Sequence, residues 1–237
     1  MLLPTKGKNK MLLPTKWATL SRRLEGIRLR LMTPEKRFKD IYANNKWESE
    51  ESISGPGSNL SETAGIRDAL PKLLDSLKCR SLLDIPCGDL NWIKTVDFEF
   101  ERYIGADIVD ELVVSNRERY PEVWRTFQKL DLAKDMLPEV DVVLCRDCLV
   151  HLSLRNIQKA LFQIVASGSQ YLIATNHQDT VDNIDILTGY WRPLNLTNPP
   201  FNLPQPFESI VERSTENPDK VLAVWKVEDI AERLGRD

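Results

Sequence analysis

Short apolar segments at 81–85, 103–108, 141–145 and 170–175 alternate with stretches of helical period at 110–119 and 154–167. Apolar runs of this length bury themselves as strands, and strands alternating with helices build βαβ units whose parallel sheet is covered on both faces. The pattern predicts an α/β chain with a Rossmann-like, doubly wound, mainly parallel sheet. Upstream, a helix is expected after the Ser54-Gly-Pro-Gly-Ser58 loop, capped at Ser61, with Ile66, Leu70, Leu73, Leu74 and Leu77 on one face and a kink or break at Pro71. Downstream, segments at 207–213 and 221–227 are expected to add antiparallel strands at the sheet edge. The stretch 189–206 carries Pro193, Pro199, Pro200, Pro204 and Pro206, and irregular segments this long serve as lids or binding loops.

In a doubly wound sheet, ligands bind outside the carboxyl ends of the strands, at the switch in strand order. This chain places acid there. Asp84-Ile-Pro-Cys-Gly-Asp89 follows the first strand, Asp107 the second, Asp131 the third and Arg146-Asp147 the fourth. One such aspartate is explained as a helix cap; four in register point to a ligand. A dinucleotide needs G-x-G-x-x-G so that backbone can approach its pyrophosphate. Here the turn holds only Gly88, and Asp84 and Asp89 repel phosphate. S-adenosylmethionine carries a sulfonium and an ammonium and no phosphate, which suits an acidic cleft. Asp107, 23 residues beyond Asp84, is spaced to accept from ribose hydroxyls. S-adenosylmethionine, rather than NAD, is the expected cofactor.

LLDIPCGDLNW (82–92), YIGADIV (103–109), LDL (130–132) and DVVLCRDCLVHL (141–152) resemble the successive motifs of class I S-adenosylmethionine-dependent methyltransferases. More narrowly, the chain resembles a bacterial-type subgroup with D-x-P-C-G-D in the first motif and R-D-x-x-x-H-L in the fourth. That subgroup's S-x-S-G-x-G-S segment matches 52–58. The resemblance covers roughly 38–212. It implies that Asp84 and the turn of Pro86, Cys87, Gly88 and Asp89 hold the methionine moiety, and that Asp107 and Ile108 hold the ribose. Asp131 and Leu132 then flank adenine, and Asp147 and His151 face the methyl-transfer site. Trp92 and Arg146 are further expected cofactor contacts. Pro86 departs from the broad class, which has glycine there; proline fixes φ and removes an N–H from the cradle.

Other residues keep two readings. Trp47, Trp92, Tyr190 and Trp191 line an acceptor site, or Trp47 and Trp92 shelve the cofactor. His151 is a base or a structural histidine, and His177, after the fifth strand, is a second candidate. Cys145-x-x-Cys148 has the spacing of half a zinc site, but no second Cys/His pair has metal spacing, so no metal is expected.

Charge divides the chain. Residues 1–46 hold 12 Lys/Arg against 3 Asp/Glu (+9), and residues 47–237 hold 20 against 32 (−12). The acidic body does not favour nucleic acid. MLLPTK stands at both 1–6 and 11–16, and 1–16 is expected to be a disordered leader. Leu20, Leu24, Ile27 and Leu31 predict a basic amphipathic helix over 17–32, packed on its own domain or a partner, or touching a membrane surface. Pro34 opens a second helix to about Asn44, and the two form an N-terminal helical lid over 17–58, with the methyltransferase-like domain over 59–237. No apolar run approaches a membrane span, and four cysteines in this length make no disulfide scaffold, so a cytoplasmic location is expected.

The expectation is an O-methyltransferase with His151 as general base; the resemblance, rather than any residue, implies a sugar hydroxyl of a glycan or glycosylated metabolite as the acceptor. Asp147 would orient the acceptor or His151, or contact the cofactor. Asp147 and His151 are four apart and would share one helix face if both lay on the helix after the fourth strand. The rivals are a small-molecule N- or O-methyltransferase with a non-sugar acceptor, and a non-catalytic methyltransferase-like binding module. A pocket lined by aromatics without convergent polar groups would favour the first rival.

Overall fold

A computed structural model describes residues 31–212, 214 and 217–235. The leader over 1–16 and nearly all of the helix expected over 17–32, with its membrane contact, lie outside these residues. The strands are β1 (Ser81–Asp84), β2 (Arg102–Asp107), β3 (Arg125–Lys129), β4 (Val142–Cys145), β5 (Tyr171–His177), β6 (Glu208–Val211) and β7 (Lys220–Lys226). They form one sheet in the order β3-β2-β1-β4-β5-β7-β6, parallel through the first five and antiparallel where β7 inserts between β5 and β6. The helices are α1 (Pro34–Ala43), α2 (Ala64–Ser76), α3 (Asp110–Arg119), α4 (Leu154–Ala166) and α5 (Val227–Leu234). The architecture is the expected Rossmann-like doubly wound sheet.

Alternate strand residues feed two cores, as the period-2 geometry of a sheet requires. Leu82, Val142, Leu144, Ile173 and Leu222 face the layer containing α2, while Leu83, Val143, Leu172, Ala174 and Trp225 face α4 and α5. Three local expectations need correcting. Helix α2 begins after Thr63, not Ser61, and Pro71 does not break it. Proline inside a helix costs about 3 kcal/mol or more, but Ile66, Leu70 and Leu74 on this helix are fully buried, and their burial outweighs it. Helix α4 starts only at Leu154, where the Ser153 hydroxyl accepts from the Asn156 N–H at 3.3 Å, so neither Asp147 nor His151 lies on it. The C-terminal helix α5 was not anticipated, because β7 passes into it with no turn residue between. Among the described residues, no helix is long and apolar enough to cross a membrane.

Candidate active site

The strand order reverses between β1 and β4, and outside their carboxyl ends opens a cavity of about 640 Å³. That is within the range of small-molecule sites. Asp84, Pro86, Cys87, Gly88, Asp89, Trp92, Asp107, Ile108, Asp131, Leu132, Arg146, Asp147 and His151 all line it. So do Trp47, His177 and Trp191, whereas Tyr190 stands outside the lining and meets the site only through its carbonyl. Pro34, Phe38 and Tyr42 of α1, with residues 53–59, close it from above. Leu112, Leu130, Glu212, Asn217 and Lys220 also line the cavity and were not read from the sequence.

One half is carboxylate and apolar. Asp107 is 5% exposed and accepts from the Gly88 N–H at 3.2 Å and the Val109 N–H at 2.9 Å. Burial outweighs these bonds and raises its pKa to about 6. Asp84, beside it, takes the Tyr103 hydroxyl at 2.6 Å, and burial still pushes its pKa up to about 7. Two desolvated acids with no fixed cation bonded to them are poised for a ligand that brings positive charge or donors. Ile108, Leu112, Leu130 and Leu132 supply an apolar slot next to them.

Asp89 does something different. Its carboxylate accepts from the Ser52 hydroxyl at 2.9 Å and the Ile53 N–H at 3.1 Å, and so ties the upstream serine-glycine segment to the turn after β1. Gly88 sits against that segment with φ +55°, and a Cβ there would stand 2.0 Å from Ser54 Oγ. Only glycine permits both the left-handed turn and this approach. Asp89→Ala is expected to cost about 1–3 kcal/mol, the scale for leaving polar partners unmet. A lowered Tm in calorimetric melting checks this.

The other half is ionic. Arg146 lines the cavity, but its guanidinium is committed to Glu212 Oε2 at 2.8 Å, the Gly57 carbonyl at 2.8 Å and Asp147 at 3.2 Å. It also lies 5.4 Å from the centre of the Trp92 ring. Lys220 reaches Asp147 at 2.7 Å and Glu212 at 3.0 Å. Two cations and two anions thus neutralise one another. Desolvation alone would raise the Asp147 pKa, but Arg146 and Lys220 prevail and hold it below the usual range. Asp147 has φ 49°, a left-handed residue that ends β4 sharply and donates its N–H to the Thr175 hydroxyl at 2.8 Å.

His151 closes a short 3₁₀ turn, Leu149–His151. Its Nδ1 lies 2.9 Å from the Tyr190 carbonyl, which can only accept. Nδ1 therefore carries the proton, leaving Nε2 with a free lone pair. Burial lowers its pKa below the ordinary 6.5, so the ring is neutral near pH 7. The Trp47 ring is 5.4 Å away. A neutral, tautomer-fixed imidazole in a cavity is the form a general base takes.

No protein-family model matches the chain, and no curated protein matches it in sequence. Solved structures match its fold. The phosphoethanolamine N-methyltransferase 1 of Haemonchus contortus, solved with phosphoethanolamine and S-adenosylhomocysteine, aligns with 84% of this chain and 53% of its own at 14% identity and a TM-score of 0.58. The N-methyltransferase NodS of Bradyrhizobium japonicum aligns over 70% and 96% at 14% identity and a TM-score of 0.52. The methyltransferase domain of bacterial CtHen1-C aligns over 50% of this chain and 66% of its own at 16% identity and a TM-score of 0.44, so this chain spans about two thirds of that domain. The fold is the Rossmann-like one that the two N-methyltransferases share.

Proposed function

We propose that the chain is an S-adenosylmethionine-dependent methyltransferase that transfers the methyl group to a sugar hydroxyl, with His151 as general base. The observation that carries the cofactor reading is the pair of buried carboxylates, Asp84 and Asp107, held with raised pKa values beside an apolar slot. Asp84 and the turn of residues 86–88 would hold the methionine moiety, Asp107 the ribose, and Ile108, Leu112, Leu130 and Leu132 the adenine. The bound cofactor supplies an electrophilic methyl group on a sulfonium. His151 Nε2 would take the acceptor's hydroxyl proton, leaving the oxygen to bond the methyl carbon as that carbon's bond to sulfur breaks and the sulfur keeps the electron pair, and the Tyr190 carbonyl would stabilise the Nδ1–H as charge develops on the ring. Asp147 is locked by Lys220 and Arg146 and serves as fixed negative charge beside His151 rather than as a proton carrier.

The sugar acceptor is favoured over an aromatic metabolite because Trp47 and Trp191 share the cavity with convergent polar groups, His177, Glu212, Asn217 and Lys220. The two solved N-methyltransferases share only the fold with this chain, so the acceptor atom is read from this half of the cavity alone. Incubating the chain and S-adenosylmethionine with a cell extract tests the function. A methyl-mass increment on a glycan or glycoside is expected, and an increment confined to amines overturns the O-methyl reading.

Cofactor binding carries a pH signature. Because the folded-state pKa values of Asp84 and Asp107 are raised, these acids favour the ligand-free fold below about pH 4, and that contribution is lost as pH rises through 6 to 7. A cationic ligand needs the ionised forms. S-adenosylmethionine affinity is therefore expected to rise through the same window and level off above it, with proton release on binding at pH 6. Asp107→Ala should weaken binding by about 1.5–3 kcal/mol and remove part of the proton release. Calorimetry in buffers of different ionisation enthalpy reads both.

A further inference from the structure

Among the described residues, three residues that line this cavity each carry a buried side-chain atom with no hydrogen bond: His177 Nε2, Glu212 Oε1 and Arg146 Nε. Native interiors leave few such atoms unmet. Two of the three are complementary. His177 Nδ1 accepts from the Leu194 N–H at 3.3 Å, so its proton sits on Nε2, a donor without an acceptor. Burial lowers the pKa of this imidazole as well, which keeps it neutral. Glu212 spends Oε2 on Arg146 and Lys220, and Oε1 is an acceptor without a donor. Each residue is only 1% exposed. His177 ends β5 opposite Lys220, the first residue of β7, so the two side chains leave the same face of the sheet. The Trp191 and His177 rings are nearly perpendicular, at 82°, with centroids 5.9 Å apart, and Trp191 is half exposed.

Charge decides what fits. Arg146 and Lys220 are matched by Asp147 and Glu212, so no net charge is left over to select an ammonium or a phosphate. A purely apolar ligand would leave both orphan atoms unmet. We propose that His177, Glu212 and Trp191 form the acceptor subsite, and that it takes a neutral polyhydroxylated ring of the pyranose kind. One hydroxyl accepts from His177 Nε2–H, another donates to Glu212 Oε1, and the ring's C–H face lies against Trp191. The assignment rests on the methyltransferase reading for what the subsite is used for, and its binding test stands apart from that reading.

The test uses the full chain and a panel of methyl pyranosides, with cyclohexanol, ethanolamine and inorganic phosphate as controls. Titrations followed by NMR are run with and without S-adenosylhomocysteine. At least one pyranoside is expected to bind more tightly than every control. His177→Phe should weaken it by about tenfold or more, while His177→Gln, which keeps an N–H near the Nε2 position, should hold it within about threefold. Glu212→Gln presents donors where an acceptor stood and should weaken it as His177→Phe does. Where thermal melting shows that Glu212→Gln has lost the fold, the two His177 variants decide alone. Affinity for S-adenosylhomocysteine should stay within about twofold in both His177 variants, since that side chain does not belong to the cofactor half. Failure of every pyranoside to bind, equal pyranoside affinity in His177→Phe and the natural chain, or tightest binding of ethanolamine or phosphate overturns the subsite. A chain that binds a pyranoside but not S-adenosylhomocysteine keeps the subsite and overturns the methyltransferase reading instead.

Discussion

Replacing His151 by alanine is expected to lower methyl-transfer turnover by at least ~100-fold, within the usual yield of a positioned general base. Cofactor affinity should stay within a fewfold, because Asp84, Asp107 and the apolar slot remain. His151→Asn is the sharper variant. Its amide can still donate to the Tyr190 carbonyl, which preserves the 2.9 Å contact that places the ring, but it has nothing basic at the Nε2 position. Turnover should fall as far as in the alanine variant. In the natural chain the rate should drop as acid protonates Nε2, and because burial lowers the His151 pKa, that limb lies below the ordinary 6.5. An unperturbed histidine would titrate in that ordinary range; desolvation is what moves this one. Both variants should lose the limb. Full turnover in His151→Asn would assign the residue to positioning alone, and loss of cofactor binding would make it structural.

How much of this could be read from the chain follows from local physics. Strands β1, β2, β4 and β5 are buried on both faces and so appear as continuous apolar runs, which is why their positions were legible to within two residues at each end. Helix α3 spans Asp110–Arg119, the bounds that the sequence predicts. Strand β3 is Arg-Thr-Phe-Gln-Lys with only Phe127 buried, so its presence was implied by Asp131 and not by its own pattern. The acidic strand ends were legible because register in a parallel sheet carries them to one edge. The relation of Asp147 to His151 was not. A left-handed residue followed by a 3₁₀ turn leaves no periodicity, and the spacing of four that suggests a shared helix face arises here from a tight loop. Glu212 and Lys220 were hidden for another reason. They flank an antiparallel hairpin, 66 and 73 residues from the Arg146 and Asp147 side chains they meet, and nothing local marks a surface-type residue as buried.

That hidden pair carries the second large effect. Glu212→Leu is expected to destabilise the fold by about 3–5 kcal/mol, the cost of removing one member of a buried ion pair. For a chain of this size that lowers Tm by on the order of 10 °C. The magnitude comes from what is left behind. Side chains of Arg146, 4% exposed, and Lys220, 8% exposed, would have to share Asp147 alone, with little contact with water to recover their hydration. A surface pair would show nothing of this size. Adding Arg146→Met to Glu212→Leu removes one cation with one anion and leaves the Lys220–Asp147 pair intact at 2.7 Å. Most of the lost stability should return, and a double-mutant cycle by denaturant titration measures the coupling. Recovery of stability should not bring recovery of binding. Arg146 is also the donor to the Gly57 carbonyl at 2.8 Å and lies against Trp92, and through these contacts it holds the glycine-rich segment over the cavity. The double variant is thus expected to melt near the natural chain yet bind S-adenosylhomocysteine more weakly. Natural affinity in that variant would reduce the network to a packing device with no part in shaping the site.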